Sequence, residues 1–249
     1  MRITLGHLYP EYLNIYADRG NIAVLAARAA WRGLELEVRP ITLGDALPHG
    51  IDLLYVGGGQ DREQALVAPD LAARGEELRT ALAGGAVLLA VCGGYQLLGR
   101  FYRDREGAEL AGAGVLPLHT VAGSRRMIGD VLLECELEPG ELHTLAGFEN
   151  HAGRTFLDEG AEPLGRVVAG FGNDGQSGHE GCRLGTAIGT YLHGPLLPRN
   201  PWLADWLLAK AVEHRTGGGP PRFDPLPDVL EEEAHRVAAA RARERGGKL

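Results

Sequence analysis

Cysteine is scarce in this chain of 249 residues, which holds three, at positions 92, 135 and 182. Their spacing shows no close pairing, so neither a disulfide framework nor a zinc site is indicated. Unpaired thiols of this kind fit a reducing compartment. No apolar run approaches the ~18 residues of a membrane-spanning helix, and the N-terminus lacks the long apolar core of a secretory signal. The cytoplasm is the expected location. Positive charge is not in excess: 25 Lys and Arg against 33 Asp and Glu leave a net charge of −8. Bulk charge therefore offers no support for a nucleic-acid partner. No Gly-x-x-x-x-Gly-Lys-Ser/Thr segment occurs, so nothing argues for ATP binding by this chain. No internal repeat is visible. What is present is a chain that is 45% hydrophobic, long enough to bury a full core as one domain.

The most informative run is residues 86–98, Ala-Val-Leu-Leu-Ala-Val-Cys-Gly-Gly-Tyr-Gln-Leu-Leu. Val87 to Val91 make a buried-strand signal that stops at Cys92, and after Gly93 and Gly94 a helical pattern begins at Tyr95. A strand that bends sharply into a helix lifts the residue at the bend clear of the sheet, the geometry of a nucleophile elbow. Backbone N–H groups at the helix start favour a thiolate there. A lone cysteine at a strand end is more often a small core residue. Two consecutive residues without Cβ, however, mark a place where backbone or substrate must approach closely.

A second apolar strand, Ile51 to Val56, runs into Gly57-Gly58-Gly59-Gln60, with a helical segment from Asp61. In a parallel sheet both turns open at the carboxyl ends of their strands, where open α/β sheets place ligands. One turn can supply the thiolate. Gly93 and a residue of the Gly58-Gly59 turn can supply the amides of an oxyanion hole. A base is also available, because the strand-like run 184–192 ends at His193-Gly194-Pro195. Histidine is the usual proton acceptor for a cysteine nucleophile. Among nine histidines, His193 stands out by closing an apolar strand; His7, His119, His143 and His151 are weaker candidates.

These motifs together, Gly57-Gly58-Gly59, Val91-Cys92-Gly93-Gly94-Tyr95-Gln96 and Tyr191-Leu192-His193-Gly194-Pro195, resemble class I, triad-type glutamine amidotransferases. The resemblance is strongest to the glutaminase domain of the cobyric-acid-synthase-like branch. Four longer segments narrow it to the GatD-type family, the glutaminase subunits of lipid II isoglutaminyl synthase. They are Tyr16-Ala17-Asp18-Arg19-Gly20-Asn21, Gly57-Gly58-Gly59-Gln60-Asp61-Arg62-Glu63-Gln64-Ala65, Gly147-Phe148-Glu149-Asn150-His151-Ala152-Gly153-Arg154-Thr155 and Gly189-Thr190-Tyr191-Leu192-His193-Gly194-Pro195. They are spread over nearly the whole chain.

The resemblance implies that this chain hydrolyses L-glutamine to glutamate and ammonia. It implies a heterodimer with a MurT-type, Mur-ligase-like subunit that uses ATP and magnesium. That partner would activate the α-carboxyl of the second-position D-glutamate in the lipid II stem peptide, and ammonia would convert it to D-isoglutamine during peptidoglycan synthesis. Lipid II is then met only through the partner, and no cofactor or metal is expected in this chain. Cys92 corresponds to the nucleophile and His193 to the general base. Arg126, in Arg125-Arg126-Met127-Ile128-Gly129-Asp130, falls where the family places a glutamine-binding arginine. A planar guanidinium suits an α-carboxylate; Arg125 beside it is the rival. Gln96 is expected to fix the pocket wall by hydrogen bonding.

Two departures stand out. Most triad amidotransferases carry a Glu two residues after the histidine to orient the imidazole, and here that position is Pro195. The cobyric-type branch shares the absence. The third member is left among Asp18, Glu149, Asp130 and the partner chain. The second departure is Ala90, small enough to stand where the usual elbow has Gly. The rival readings are a subunit amidating a cobyrinic-acid-type substrate, a DJ-1-like or peptidase member of the same fold, and a regulatory domain that has kept only the fold.

The order of elements predicts an α/β fold, an open, mostly parallel sheet with helices on both faces. A strand at 3–8, an Ala-rich helix at 21–31, a strand at 34–38 and the strand and turn at 51–59 come first. One helix over 63–82 precedes the elbow strand. From 112 to 192 the pattern changes to short strands and glycine turns, such as 130–136 and 166–171, which predicts an antiparallel section carrying pocket loops. Residues 173–178 read as a flexible loop. A helix at 201–214 places Trp202, Leu203, Trp206, Leu207 and Ala211 on one face as core. The predicted organisation is a glutaminase domain over 1–215, then a linker and C-terminal helix over 216–249. That helix is acidic first and basic last, which suits its dipole, and packs on the domain or on a partner.

Overall fold

In the computed structural model, which describes residues 1–15 and 19–245, the chain forms two sheets that meet at the predicted site. In chain order the elements are β1 (Arg2–Leu8), α1 (Arg19–Trp31), β2 (Glu35–Ile41), β3 (Leu53–Val56), α2 (Asp61–Ala73) and α3 (Gly75–Ala83). Next come β4 (Val87–Val91), α4 (Gly93–Leu97), β5 (Phe101–Arg103), β6 (Glu109–Ala111), β7 (Leu118–Glu136) and β8 (Leu142–Leu157). The chain closes with β9 (Gly165–Ala169), β10 (His179–Glu180), β11 (Cys182–Leu184), β12 (Ala187–Thr190), α5 (Pro201–Thr216) and α6 (Val229–Arg245).

The first sheet has the order β11-β12-β4-β3-β1-β2. Its strands are parallel except β11, which pairs antiparallel with β12 at the edge. Every residue of β3 and β4 is buried. Because successive side chains point to opposite faces, both faces are covered, which is why these strands read as unbroken apolar runs. Pro40 sits in β2, an edge strand where a missing N–H is tolerated. The second sheet has the order β10-β9-β7-β5-β6, with β8 paired antiparallel to β7. A bridge between Phe148 of β8 and His193 joins it to the end of β12.

Two expectations need correction. The predicted helix over 63–82 is two helices, α2 and α3, parted at Arg74. Arg74 is buried and gives its Nε to Asp70 at 2.6 Å and to the Tyr9 hydroxyl at 3.1 Å. A Cβ on Gly75 would stand 2.2 Å from the Ala113 carbonyl oxygen, so the chain turns there to pass that segment. The predicted short strands are instead dominated by one long hairpin, β7 and β8, paired from Leu118 with Leu157 to Glu136 with Leu142.

The C-terminal helix α6 packs on β7 and β8 of this same chain. Its start is held by Arg28 of α1, 1% exposed, whose guanidinium grips Asp205 of α5 and Asp228 at 2.6 Å each. Arg32 adds a second bond to Asp205 at 2.7 Å, so two cations and two carboxylates balance. Leu203, Leu207 and Ala211 of α5 are core, as expected, while Trp202 and Trp206 are half-buried. Their indole N–H groups reach the Thr144 carbonyl at 3.1 Å and Glu138 at 2.8 Å. No helix among the described residues is long and apolar enough to cross a membrane.

Candidate active site

Cys92 stands between β4 and α4 with φ 49° and ψ −107°. A residue with a Cβ holds such a backbone only where the surroundings over-determine it, at a cost of roughly 1–3 kcal/mol. The surroundings here are specific. The Cys92 N–H donates to the Thr190 carbonyl at 2.8 Å, tying the end of β4 to the end of β12, and the Cys92 carbonyl accepts the Gln96 N–H at 2.9 Å. The predicted elbow is present, and Cys92 is 5% exposed.

The two glycine turns are packed backbone to backbone. The Gly94 N–H donates to the Gly57 carbonyl at 3.1 Å. A Cβ on Gly94 would lie 2.7 Å from that oxygen, and one on Gly93 would lie 2.9 Å from the Gly59 nitrogen. Only residues without side chains permit this approach. Gln64 of α2 fixes the turn by donating its Nε2 to the Gly59 carbonyl at 3.1 Å. The Gly59 nitrogen thus lies close against Gly93, the residue that follows Cys92.

A cavity of about 600 Å³ opens at this point, lined among others by Gly59, Gln60, Asp61, Cys92, Gln96, Tyr102, Arg126 and His151. Arg126 reaches it because the pairing of β7 with β8 slips between Ala122 and Met127; bulges of this kind re-aim side chains beside active sites. Arg126 donates its Nε to Asn150 Oδ1 at 3.0 Å and its Nη2 to the Asn150 carbonyl at 3.1 Å. Arg125 does not line the cavity; its main-chain carbonyl accepts from Arg154 Nη2 at 3.0 Å. Of the two, the structure brings Arg126 to the cavity. Gln96, 4% exposed, lines the cavity and donates its Nε2 to the Tyr191 hydroxyl at 3.0 Å.

His193 follows the end of β12, where Thr190 is in register with Val91. It exchanges backbone hydrogen bonds with Phe148 at 2.8 and 3.2 Å, and it is buried. Cys92 and His193 therefore leave adjacent parallel strands at the same carboxyl end. The weaker histidine candidates mostly serve packing. His7 meets Tyr55 edge-on at 5.5 Å, His119 lies against Phe101 and Phe156, and His143 stacks on Trp202 at 4.3 Å. His151 is different, because it lines the cavity with Cys92. Its sequence signal was there: Glu149 and His151, two apart in a strand, must share a face.

The proposed third members separate. Asp18 lies outside the described residues. Glu149 gives its oxygens to the N–H groups of Phe171 at 2.6 Å and Gly172 at 3.0 Å, and to His151 at 3.4 Å. Asp130 faces Arg241 at 3.4 Å.

Sequence reading missed Glu180, fully buried behind the histidine segment. Its oxygens accept the Tyr191 N–H at 2.6 Å and the Thr190 hydroxyl at 3.0 and 3.1 Å. Burial pushes its carboxyl up to about 8, against the lowering effect of those donors. Burial likewise pushes the thiols of Cys135 and Cys182 up to about 12, which leaves both protonated and inert near neutrality.

Residues 4–201 match the CobB/CobQ-like glutamine amidotransferase domain. The chain is 38% identical over 243 residues to the GatD subunit of the glutamine-hydrolysing lipid II isoglutaminyl synthase of Staphylococcus aureus, covering 96% of each chain. It is 38% identical over 218 residues to the subunit of the same name from Streptococcus pneumoniae, covering 87% of this chain and 83% of that one. Among solved structures, a glutamine amidotransferase from Thermotoga maritima shares the fold with a TM-score of 0.54 at 18% identity, covering 97% of this chain and 95% of its own. The elbow, the paired glycine turns and these relatives agree: the chain belongs to the CobB/CobQ-like glutamine amidotransferase family and, within it, to the GatD subunits of lipid II isoglutaminyl synthase.

Proposed function

We propose that this chain is the glutamine-hydrolysing subunit of a lipid II isoglutaminyl synthase, with Cys92 as nucleophile and His193 as general base. The observation that carries the reading is the strained Cys92 elbow, set against the Gly57-Gly58-Gly59 turn on a cavity that Arg126 also lines. His193 takes the proton of Cys92, and the sulfur attacks the side-chain amide carbon of L-glutamine. Negative charge on the amide oxygen is met by the N–H groups of Gly93 and Gly59, each such donor contributing about 3 kcal/mol to lowering the barrier. The imidazolium of His193 protonates the departing ammonia. Water, deprotonated by His193, then hydrolyses the thioester to glutamate and frees the thiol. Arg126 holds the α-carboxylate of the substrate.

Ammonia passes to a MurT-type, Mur-ligase-like subunit, which would hold ATP and magnesium for activation of the D-glutamate α-carboxyl of the lipid II stem peptide. The heterodimer works in the cytoplasm, and lipid II is bound by the partner. Co-purification of the two subunits followed by an ammonia-release assay on L-glutamine tests the reading. Release is expected from the parent complex and lost in the Cys92→Ala and His193→Ala complexes. Undiminished release by Cys92→Ala, or none by a folded parent complex, would overturn it. If the partner supplies the third member that orients His193, the isolated chain releases ammonia far more slowly than the complex; equal rates would remove that role from the partner.

A further inference from the structure

Glu149 and His151 take no part in the steps above, yet both are buried, at 0% and 2% exposure, and His151 lines the cavity with Cys92. The hydrogen-bond partners fix where protons sit. His151 Nδ1 lies 2.8 Å from the Gly153 carbonyl oxygen, which can only accept, so Nδ1 carries a hydrogen. His151 Nε2 lies 3.4 Å from Glu149 Oε2. A bare Nε2 would set a lone pair against a carboxylate oxygen in a buried place, an arrangement that low polarity makes costly. The geometry thus favours a hydrogen on Nε2 toward Glu149, while burial works the other way and holds the imidazole below its ordinary value. The main-chain donors of Phe171 and Gly172 hold the carboxylate end still.

The imidazole is stacked flat on Tyr191, with centroids 3.5 Å apart and planes within 3°. Tyr191 is gripped at each of its other ends. Gln96 donates to its hydroxyl, Thr155 Oγ1 lies 2.6 Å from the same oxygen, and Glu180 accepts its N–H at 2.6 Å. Tyr191 directly follows Thr190, whose carbonyl anchors Cys92, and stands two residues before His193. A shift of this ring is passed to both reacting groups.

We propose that Glu149 and His151 form a hydrogen-bonded pair of positioning residues that clamps Tyr191 and so sets where His193 meets Cys92. The inference rests on the reading of Cys92 and His193 as the reacting couple. A misplacement of about 1 Å between reacting groups lowers a rate by about 10²-fold. The loss falls on kcat, because Arg126, which holds the α-carboxylate, is anchored by Asn150 and not by His151.

The test compares His151→Leu and His151→Gln in the complex with the ligase subunit. Leucine removes both the flat face and the donor to Glu149, whereas a glutamine amide keeps a planar face and a donor near Nε2. His151→Leu should lower kcat for ammonia release by about 30-fold or more, with KM within about threefold. Carbamoylmethylation of Cys92 should slow in parallel. His151→Gln should return to within about fivefold of the parent kcat, even where its melting temperature stays low. A leucine variant with the parent kcat would overturn the proposal, as would equal losses in both variants that follow their melting temperatures, or a change confined to KM. Should the leucine variant not fold, His151→Asn, too short to reach Glu149, takes its place with the same expectations. A parent complex that releases no ammonia would instead defeat the reading of the site itself.

Discussion

Glu180→Gln should stabilise this protein increasingly as pH rises from 4.5 toward 8, and the size of the effect follows from burial. The folded chain keeps the Glu180 carboxyl protonated up to about 8, whereas its ordinary value is 4.5. A raised carboxyl contributes its full stability below pH 4.5, and that contribution is lost as pH climbs through the folded value. Between these limits the unfolded chain releases a proton that the folded chain retains, at about 1.4 kcal/mol per pH unit. The full span sets an upper bound of about 5 kcal/mol, and relaxation around the carboxylate leaves an expected difference of about 2 kcal/mol or more. Glutamine is isosteric: its oxygen can accept the Tyr191 N–H, and its amide can donate to the Thr190 hydroxyl that now serves Glu180. Urea unfolding of parent and variant at pH 5, 6, 7 and 8 measures the difference directly, because every other titrating group cancels. A difference that stays flat across this range would refute the argument. The functional counterpart is that an uncharged Glu180 puts no negative field behind the segment that carries His193.

Gly93→Ala should lower kcat for ammonia release by about 10²-fold and destabilise by about 1–3 kcal/mol. The new Cβ would stand 2.9 Å from the Gly59 nitrogen and push the two turns apart; a parent-like kcat would contradict the oxyanion-hole assignment. Arg126→Ala should raise KM for glutamine by about 10²-fold while leaving Cys92 alkylation by a small neutral reagent unchanged, and Arg126→Lys should restore only part. Equal KM values would remove Arg126 from substrate binding. Asp228→Ala should cost about 1–3 kcal/mol by breaking one side of the Arg28 clamp. Hydrogen exchange should then rise first in α6, and protection unchanged there would show that the clamp does not hold the helix.

The strand-turn-helix elements were legible because parallel strands covered on both faces spell out unbroken apolar runs. β3 and β4 show this most plainly, each ending in glycines that no buried strand needs. The long β7–β8 hairpin was not legible for the same physical reason in reverse. Its inward face carries Gly147, Glu149, His151, Gly153 and Thr155, polar or without side chains because it meets Leu192, Gln96 and Tyr191 closely and lines part of the cavity. Gly153 is small because a Cβ there would stand 2.4 Å from Gln96 Nε2. An apolar alternation cannot survive on such a face, so the segment reads as turns. The break at Arg74 was hidden because its cause, the Ala113 carbonyl beside Gly75, is distant in sequence. Cys92 and Gln96 could be named in advance from the elbow run, and Arg126 from the family resemblance; all three line the cavity. Glu149 and His151 were named only as separate candidates for other roles, and Glu180 not at all, since what they touch across strands is not written locally.

Treatment of the ligase-bound protein with a glutamine-analogue chloroketone, followed by peptide mass mapping, tests the reactive sulfur most directly. The adduct should form on Cys92 and be suppressed by L-glutamine, with Cys135 and Cys182, both buried and held protonated, left unmodified. An adduct on either of those two, or an unmodified Cys92 in folded complex, would contradict the account.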